Sequence, residues 1–122
     1  MAKCILIVDD SSSVRTVVGI ALRGAGYEVV EAGDGAQALQ QLNGRKVNLI
    51  ISDVNMPVMD GLTFLKEVKK SAAHKFVPVM MLTTESAEEK MAIGRAEGAR
   101  AWMTKPFKPE QMLAAVQKLV LP

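Results

Sequence analysis

Short apolar runs alternate with segments of helical periodicity along the chain, and this alternation repeats five times. Continuous apolar runs are typical of strands buried on both faces, as in a parallel sheet whose crossovers are helices. The predicted strands are residues 4–8, 28–31, 47–53, 77–82 and 101–104. We therefore predict an α/β fold, with one doubly wound, five-stranded parallel sheet flanked by five helices, in a single domain of 122 residues.

Charged or hydroxyl side chains stand at the ends of four of these runs. Asp9 and Asp10 follow the first run, and Asp53 ends the third. Thr83 follows the fourth run, and Lys105 follows the fifth. Because the carboxyl ends of parallel strands share one edge, where doubly wound sheets bind their ligands, we expect these five side chains to meet in one crevice.

Such a crevice suits a metal ion and a phosphoryl group. Three neighbouring carboxylates repel one another, and the positive charge of a bound Mg²⁺ would offset that repulsion. Mg²⁺ also prefers oxygen ligands such as carboxylates. Between Mg²⁺ and the Lys105 ammonium, Asp53 is placed to attack phosphorus as a nucleophile. The Thr83 hydroxyl is able to donate to a phosphoryl oxygen. The sequence therefore indicates a phosphoryl-transfer site whose reactive residues are Asp53, Thr83 and Lys105.

Four motifs carry a family resemblance, and they stand at these strand ends in a fixed order. They are Val-Asp-Asp at 8–10, Asp-Val-Asn-Met-Pro-Val-Met-Asp-Gly at 53–61, Met-Leu-Thr-Thr at 81–84 and Lys-Pro-Phe at 105–107. Together they resemble the receiver domains of two-component response regulators, over essentially the whole chain. The resemblance implies a flavodoxin-like fold with the strand order 2-1-3-4-5.

The resemblance also assigns the phosphoryl acceptor and the metal ligands. Asp53 would accept a phosphoryl group from the phosphohistidine of a sensor histidine kinase. Mg²⁺ would be held by Asp10 with help from Asp9, by Asp53, and by the backbone carbonyl of Asn55. The protein would then catalyse only its own phosphorylation and dephosphorylation.

Three further residues would form the switch that responds to phosphorylation. Thr83 would move toward the phosphoryl group, and Lys105 would pair with it across a cis bond to Pro106. Trp102 stands where receivers usually carry Tyr or Phe, a ring that turns inward when the hydroxyl residue shifts. The larger indole leaves two interpretations open, an inward position or a partly exposed one that does not switch.

Phosphorylation is expected to reshape the surface around the fourth helix, the last strand and the last helix, and thereby to recruit a partner. We expect no output domain, and a monomer in the unphosphorylated state. The flagellar motor switch is one candidate target, because the chain is similar to chemotaxis-type receivers. Residues 87–89, Ala-Glu-Glu, count against it, since motor-binding receivers tend to carry lysines there. A phosphorelay or another non-motor partner is the alternative.

Composition and individual residues argue against several other functions. A net charge of +2 gives no reason to expect nucleic acid or an anionic membrane as a partner. A single cysteine and the lack of a signal peptide fit a cytoplasmic protein. An FMN-binding, flavodoxin-like module using residues 11–13 is disfavoured, because only 4% of residues are aromatic and Asp9 and Asp10 would repel the phosphate. A phosphatase would need a general acid where the chain has Asn55.

The remaining polar positions are predicted to be structural. Helix starts are predicted at one of the serines 11–13, at Asp34, at the capping-box sequence 86–89 and at Pro109. Leu62, Leu65 and Val68 are expected to face inward from the third helix. His74 is expected in a solvated loop, and the charged cluster within 66–70 on a solvated helix face.

Overall fold

A computed structural model describes residues 2–83 and 88–120, in which strands and helices alternate strictly. The strands are β1 Cys4–Val8, β2 Glu28–Ala32, β3 Leu49–Asp53, β4 Val79–Thr83 and β5 Ala101–Thr104. The helices are α1 Ser12–Gly24, α2 Gly35–Leu42, α3 Gly61–Lys70, α4 Glu88–Ala96 and α5 Pro109–Leu119. None of the helices within these described ranges has the length and apolar character that a membrane span requires.

The five strands form one parallel sheet in the order β2-β1-β3-β4-β5. The register pairs Val8 with Ser52, so that the ends of β1 and β3 lie side by side. Thr83 at the end of β4 pairs with Thr104 at the end of β5. The predicted doubly wound fold and its strand order are confirmed, and the register places the residues after β1, β3, β4 and β5 along one edge.

Each face of the sheet carries its own hydrophobic core, because side chains of a strand alternate between the faces. Leu6 and Ile50 pack with α2 and α3 on one face, whereas Ile5 and Ile51 pack with α1 and α5 on the other. All four side chains are fully buried. Burial of one such side chain stabilises the fold by about 1.5–3 kcal/mol, so the paired cores hold the strand ends in place.

The inward face of α3 differs from the predicted stripe. Leu65 and Val68 are buried as expected, but Phe64 is completely buried and Leu62 only partly. The helix is therefore rotated toward Phe64, whose ring has the larger apolar area to remove from water.

Helix starts follow the predicted capping residues where they are described. Ser11 Oγ accepts a hydrogen bond from the Val14 N–H at 3.3 Å, and Asp34 Oδ1 accepts one from the Gln37 N–H at 2.8 Å. Each such cap contributes about 1 kcal/mol. Pro109 is the first residue of α5. The capping-box serine predicted at position 86 lies outside the described residues.

The prediction of a solvated His74 was wrong. Its side chain is buried, and Nε2 lies 2.9 Å from the carbonyl oxygen of Arg45, while Nδ1 lies 3.4 Å from Ser71 Oγ. Lys69 is also not merely solvated, because its ammonium donates to the carbonyl oxygens of Lys75 and Val77, both at 3.1 Å. The loop between α3 and β4 therefore folds back onto the amino edge of the sheet and buries these polar groups against backbone carbonyls.

Candidate functional site

Two buried carboxylates and one exposed carboxylate meet at the carboxyl edge of the sheet. Asp9 follows β1 and Asp53 ends β3, with 1% and 7% of their surfaces exposed, whereas Asp10 is exposed. Each of the three offers a carboxylate oxygen, and these oxygens lie within 4.8 Å of one another. The parallel pairing of β1 with β3 explains the approach, because it brings the two strand ends level.

Lys105 lies between the two buried carboxylates. Its Nζ is 2.6 Å from Asp9 Oδ2 and 3.4 Å from Asp53 Oδ2. The Lys105 backbone N–H donates to the carbonyl oxygen of Thr83 at 2.7 Å, and the peptide bond that follows, to Pro106, is cis. The end of β4 and the turn after β5 together aim the ammonium into the acidic crevice.

The charges in this crevice are unequally compensated. Burial raises the pKa of the Asp53 carboxyl above its ordinary value and the charge of Asp9 raises it further, while Lys105 opposes both. Burial alone would lower the pKa of Lys105, but its hydrogen bond to Asp9 and the charges of Asp9 and Asp53 hold that pKa above its ordinary value. Lys105 is therefore positively charged at neutral pH, and a further cation would stabilise the ionised form of Asp53.

The donor set fits a magnesium ion. One oxygen of each buried carboxylate is already engaged, since Asp9 Oδ1 accepts the Ser11 N–H at 2.9 Å and Asp53 Oδ1 accepts the Val54 N–H at 2.8 Å. The other oxygens face the crevice shared with Lys105. Hard oxygen ligands at an open, acidic site suit Mg²⁺, which retains several waters.

Other predicted residues lie around this crevice. Thr83 is fully buried at the end of β4, and Asn55 is exposed in the loop two residues after Asp53. Trp102 is half-buried in β5, with its indole against α4, where a Cβ on Gly94 would lie only 2.6 Å from Cζ3. The Trp102 Nε1 is buried and has no hydrogen-bond partner among the described residues.

Gly61 is a site residue whose role was not predicted. A Cβ at this position would lie 2.0 Å from the carbonyl oxygen of Asp53, and the Gly61 N–H donates to the Val54 carbonyl oxygen at 2.8 Å. Only glycine lets α3 begin directly against the backbone of Asp53. Gly61 is the last residue of the motif at 53–61, so the sequence marked the position, but its closeness to the Asp53 backbone is visible only in the folded structure.

Arg15 is a second residue that sequence reasoning missed. Its guanidinium donates to the carbonyl oxygen of Asp9, and its Nε lies 3.3 Å from Glu31 Oε1 on β2. Arg15 therefore ties the start of the acidic loop to the neighbouring strand. No pattern in the sequence distinguished it from other surface arginines.

Val58 is a strained residue in the loop beside the site. Its φ is +66°, and 86% of its surface is exposed. A β-branched residue in the left-handed region costs about 1–3 kcal/mol, so the loop that connects Asp53 with α3 stores strain.

Comparisons with known proteins agree with this geometry. The profile of the family described as the response regulator receiver domain matches residues 5–117. The solved structure of the chemotaxis response regulator CheY4 of Vibrio cholerae is 46% identical, with a TM-score of 0.92, and the match covers 98% of this chain and 99% of that chain. A putative response regulator from Chloroflexus aurantiacus is 35% identical, with a TM-score of 0.93 and 98% of each chain covered.

Curated relatives are similar over part of their length. The alkaline phosphatase synthesis transcriptional regulatory protein PhoP of Bacillus subtilis is 36% identical over 120 residues, which are 98% of this chain and 49% of that protein. The phosphate regulon transcriptional regulatory protein PhoB of Klebsiella pneumoniae is 37% identical over 120 residues, which are 98% of this chain and 52% of that protein. The chain thus spans about half the length of these relatives.

Proposed function

Because this chain belongs to the response regulator receiver domain family, we propose that it is a signalling switch in which Asp53 accepts a phosphoryl group from a sensor histidine kinase. One observation carries the proposal. Asp53 is buried in a cluster of three carboxylates, with a lysine ammonium 3.4 Å from its Oδ2. A carboxylate held beside a fixed positive charge is suited to attack phosphorus.

The transfer step requires little beyond positioning. A carboxylate oxygen of Asp53 forms a bond to phosphorus as the phosphorus–nitrogen bond of the donor phosphohistidine breaks, and its electron pair returns to the imidazole. Lys105 stays at the site and compensates the phosphoryl charge, since it already lies beside Asp53. Backbone N–H donors hold Asp9 and Asp53 in place, so the crevice is organised before the donor arrives.

Asp9, Asp10, Asp53 and the backbone carbonyl of Asn55 would hold Mg²⁺. The ion would compensate negative charge on the phosphoryl oxygens as they approach the carboxylates. Lys105 alone balances only one of the three carboxylate charges. We therefore expect phosphorylation to depend on a divalent cation.

Thr83 and Trp102 are proposed to carry the signal away from the site. Thr83 lies at the end of β4, and its carbonyl oxygen accepts a hydrogen bond from the backbone N–H of Lys105, which directly follows β5. A shift of Thr83 toward the phosphoryl group would therefore also displace the end of β5. Trp102 is in β5, and among the described residues no polar group forms a hydrogen bond with its Nε1. The surface formed by α4, β5 and α5 is then the partner-binding surface.

An apolar surface beside the crevice is proposed to receive the donor protein. A cavity of about 470 Å³ is lined by Val14, Val17 and Val18 of α1 and by Pro106 and Phe107 after β5. It adjoins Lys105, and Val17 is 55% exposed. A protein that docks there would hold its phosphohistidine at the mouth of the site.

The output is proposed to be a protein contact in a chemotaxis pathway, with the flagellar motor switch as a target. The support is the 46% identity to a chemotaxis response regulator that is matched over 99% of its length. The curated relatives are transcriptional regulatory proteins matched over about half their length, so a phosphorelay or non-motor target is the alternative. Residues 87–89, Ala-Glu-Glu, which bear on motor binding, are described only in part.

The proposal is tested by labelling with acetyl phosphate in the presence of Mg²⁺. Asp53→Asn should reduce phosphorylation by at least about 10³-fold, because the nucleophile is lost. Asp60→Asn is the matched control, since Asp60 is exposed, caps α3 through a bond to the Thr63 N–H, and asparagine caps equally well. Normal labelling of Asp53→Asn, or labelling of the wild type that is unaffected by EDTA, would contradict the proposal.

A further inference from the structure

A second cavity lies at the opposite edge of the sheet from the acidic crevice. Its volume is about 560 Å³, within the range of small-molecule sites. It is bounded by the loops that precede β3 and β4, by Arg100 just before β5, and by Leu119 at the end of α5. The cavity is therefore framed by the amino ends of three strands, away from Asp53.

The lining of this cavity is strongly basic. Arg45, Lys46 and Arg100 contribute to it, and no Asp or Glu is among its lining residues. Among the side chains of residues 2–83 and 92–120, no carboxylate lies at ion-pair distance from any of these three cations. Lys69 lies nearby, and its pKa is lowered by burial and then by the charge of Arg100. The cluster thus carries positive charge that the described part of the protein does not neutralise.

The two loops that form the cavity are tied together rather than free. His74, only 8% exposed, holds the carbonyl oxygen of Arg45 at 2.9 Å from its Nε2. Lys69 Nζ fixes the other loop through the carbonyl oxygens of Lys75 and Val77. Asn48 Oδ1 accepts the Cys4 N–H at 2.9 Å. These bonds preorganise the wall on which Arg45 and Lys46 stand, which lowers the entropic cost of binding.

An exposed aromatic ring stands at the mouth of the cavity. Phe76 lines it with 82% of its surface exposed, although a phenylalanine normally gains from burial. Lys75 Nζ lies 5.1 Å from the centre of the ring and adds a further cation. A flat aromatic surface beside guanidinium groups suits a ligand that combines a planar ring with phosphate groups.

We propose that the cavity between the loops 44–48 and 73–78 is a binding site for a nucleotide. Its phosphates are held by Arg45, Lys46 and Arg100, and its base stacks on Phe76. Guanidinium groups bind phosphate through paired hydrogen bonds. Stacking of the base on Phe76 adds affinity for a nucleotide, which an oligophosphate without a base does not gain. The site lies at the opposite edge of the sheet from Asp53.

Calorimetric titration of the full chain tests the proposal, with ATP, adenosine, tripolyphosphate and hexaglutamate as probes. EDTA is present throughout, so that a metal at the acidic crevice does not recruit the phosphates. We expect saturable ATP binding with a Kd below about 1 mM, and at least about tenfold weaker binding of tripolyphosphate and of adenosine. Amide chemical shifts should change around Gly44, Val77 and Arg100.

Two variants and a matched control localise the site. Arg45→Gln/Arg100→Gln should weaken ATP binding about tenfold or more, and Phe76→Ala about tenfold, without unfolding the protein because all three side chains are exposed. Arg95→Gln/Lys108→Gln removes the same charge from exposed positions outside the cavity and should leave binding unchanged.

Three outcomes would overturn the proposal. The first is the absence of saturable ATP binding. The second is equal weakening by the two double variants, which would show a general charge effect. The third is binding of tripolyphosphate or hexaglutamate as tight as that of ATP and indifferent to Phe76→Ala, which would indicate an oligophosphate or an acidic peptide instead.

Discussion

At the carboxyl edge of the sheet, Asp9 and Asp53 are buried beside a single lysine, whereas at the amino edge Arg45 and Arg100 are exposed around an open cavity. The acidic edge gathers like charges, raises the pKa of Asp53 and holds Val58 at positive φ. The amino edge is fixed by hydrogen bonds from His74 and Lys69 to backbone carbonyls. The like charges of the acidic edge are therefore buried, whereas those of the amino edge are exposed to solvent on loops that hydrogen bonds hold in place.

Gly61→Ala should have the largest effect on the acidic edge, because the new side chain would collide with the backbone of Asp53. The new Cβ would meet the Asp53 carbonyl oxygen at 2.0 Å, a contact that only a backbone shift relieves. We expect a loss of about 3–5 kcal/mol in the free energy of unfolding, together with loss of phosphorylation. Urea denaturation and acetyl-phosphate labelling measure the two effects.

Gly24→Ala is the control for the effect of Gly61→Ala. Gly24 ends α1, and a Cβ there meets nothing within 4 Å. The control should change stability little or raise it slightly. A Gly61→Ala protein as stable and as active as wild type would contradict the packing described around Asp53.

His74→Ala tests the amino edge alone. It leaves the Arg45 carbonyl oxygen without its side-chain partner and opens space between the two loops, so we expect a loss of about 1–3 kcal/mol. The rate of phosphorylation by acetyl phosphate in the folded protein should be unchanged, because the site lies at the other edge. A large change in that rate without a change in stability would show that the two edges are coupled.

The acidic edge of the sheet could be predicted from the sequence, whereas the buried His74 and the close approach of Gly61 could not, for physical reasons. Continuous apolar runs ending in Asp9 and Asp53 predict a parallel sheet with acids at one edge, because strand burial and the shared edge are local consequences of the pattern. The strand order came from the family resemblance. His74 was misplaced because a polar stretch resembles a solvated loop, and its partner Arg45 is 29 residues away. Gly61 acts through backbone proximity, which no periodicity reports.

Val17→Asp separates two steps at the acidic edge, the docking of the phosphodonor protein and the transfer of the phosphoryl group. Val17 is exposed beside the crevice, so a charge there should not disturb the fold. We expect transfer from a phosphorylated kinase to slow about tenfold, because the apolar contact is lost, while labelling by acetyl phosphate is unchanged. Thr16→Asp, on the same helix but outside the cavity lining, is the control. Equal slowing with both donors would contradict a docking role.

The pH dependence of stability tests whether the charge of Asp53 is only partly compensated by Lys105. Its pKa in the folded protein is raised above the ordinary 3.8, so its contribution to stability is fully present below 3.8 and is lost as pH rises through the raised value. At pH 7 without Mg²⁺, Asp53→Asn should therefore raise Tm by about 2–4 °C, and the gap should close on acidification. Thermal scans between pH 4 and about pH 7 follow both variants. A lower Tm for Asp53→Asn than for the wild type at pH 7 would contradict a raised pKa for Asp53.

Val58→Asn makes the smallest change, at the strained loop. Asparagine tolerates the left-handed region better than valine, and the position is 86% exposed, so we expect a gain of about 1 kcal/mol. Val58→Ala, which keeps the positive-φ penalty of a side chain without β-branching, should gain less. Equal stability of all three proteins by urea denaturation would show that this loop stores no strain.

We propose Asp53 as the phosphoryl acceptor among three carboxylates that lie within 4.8 Å of one another. Borohydride reduction converts an aspartyl phosphate to homoserine, which peptide mass spectrometry locates in the chain. After phosphorylation with Mg²⁺, we expect homoserine at position 53 alone, and none when EDTA replaces Mg²⁺. Homoserine at position 9 or 10, or labelling that persists in Asp53→Asn, would contradict it.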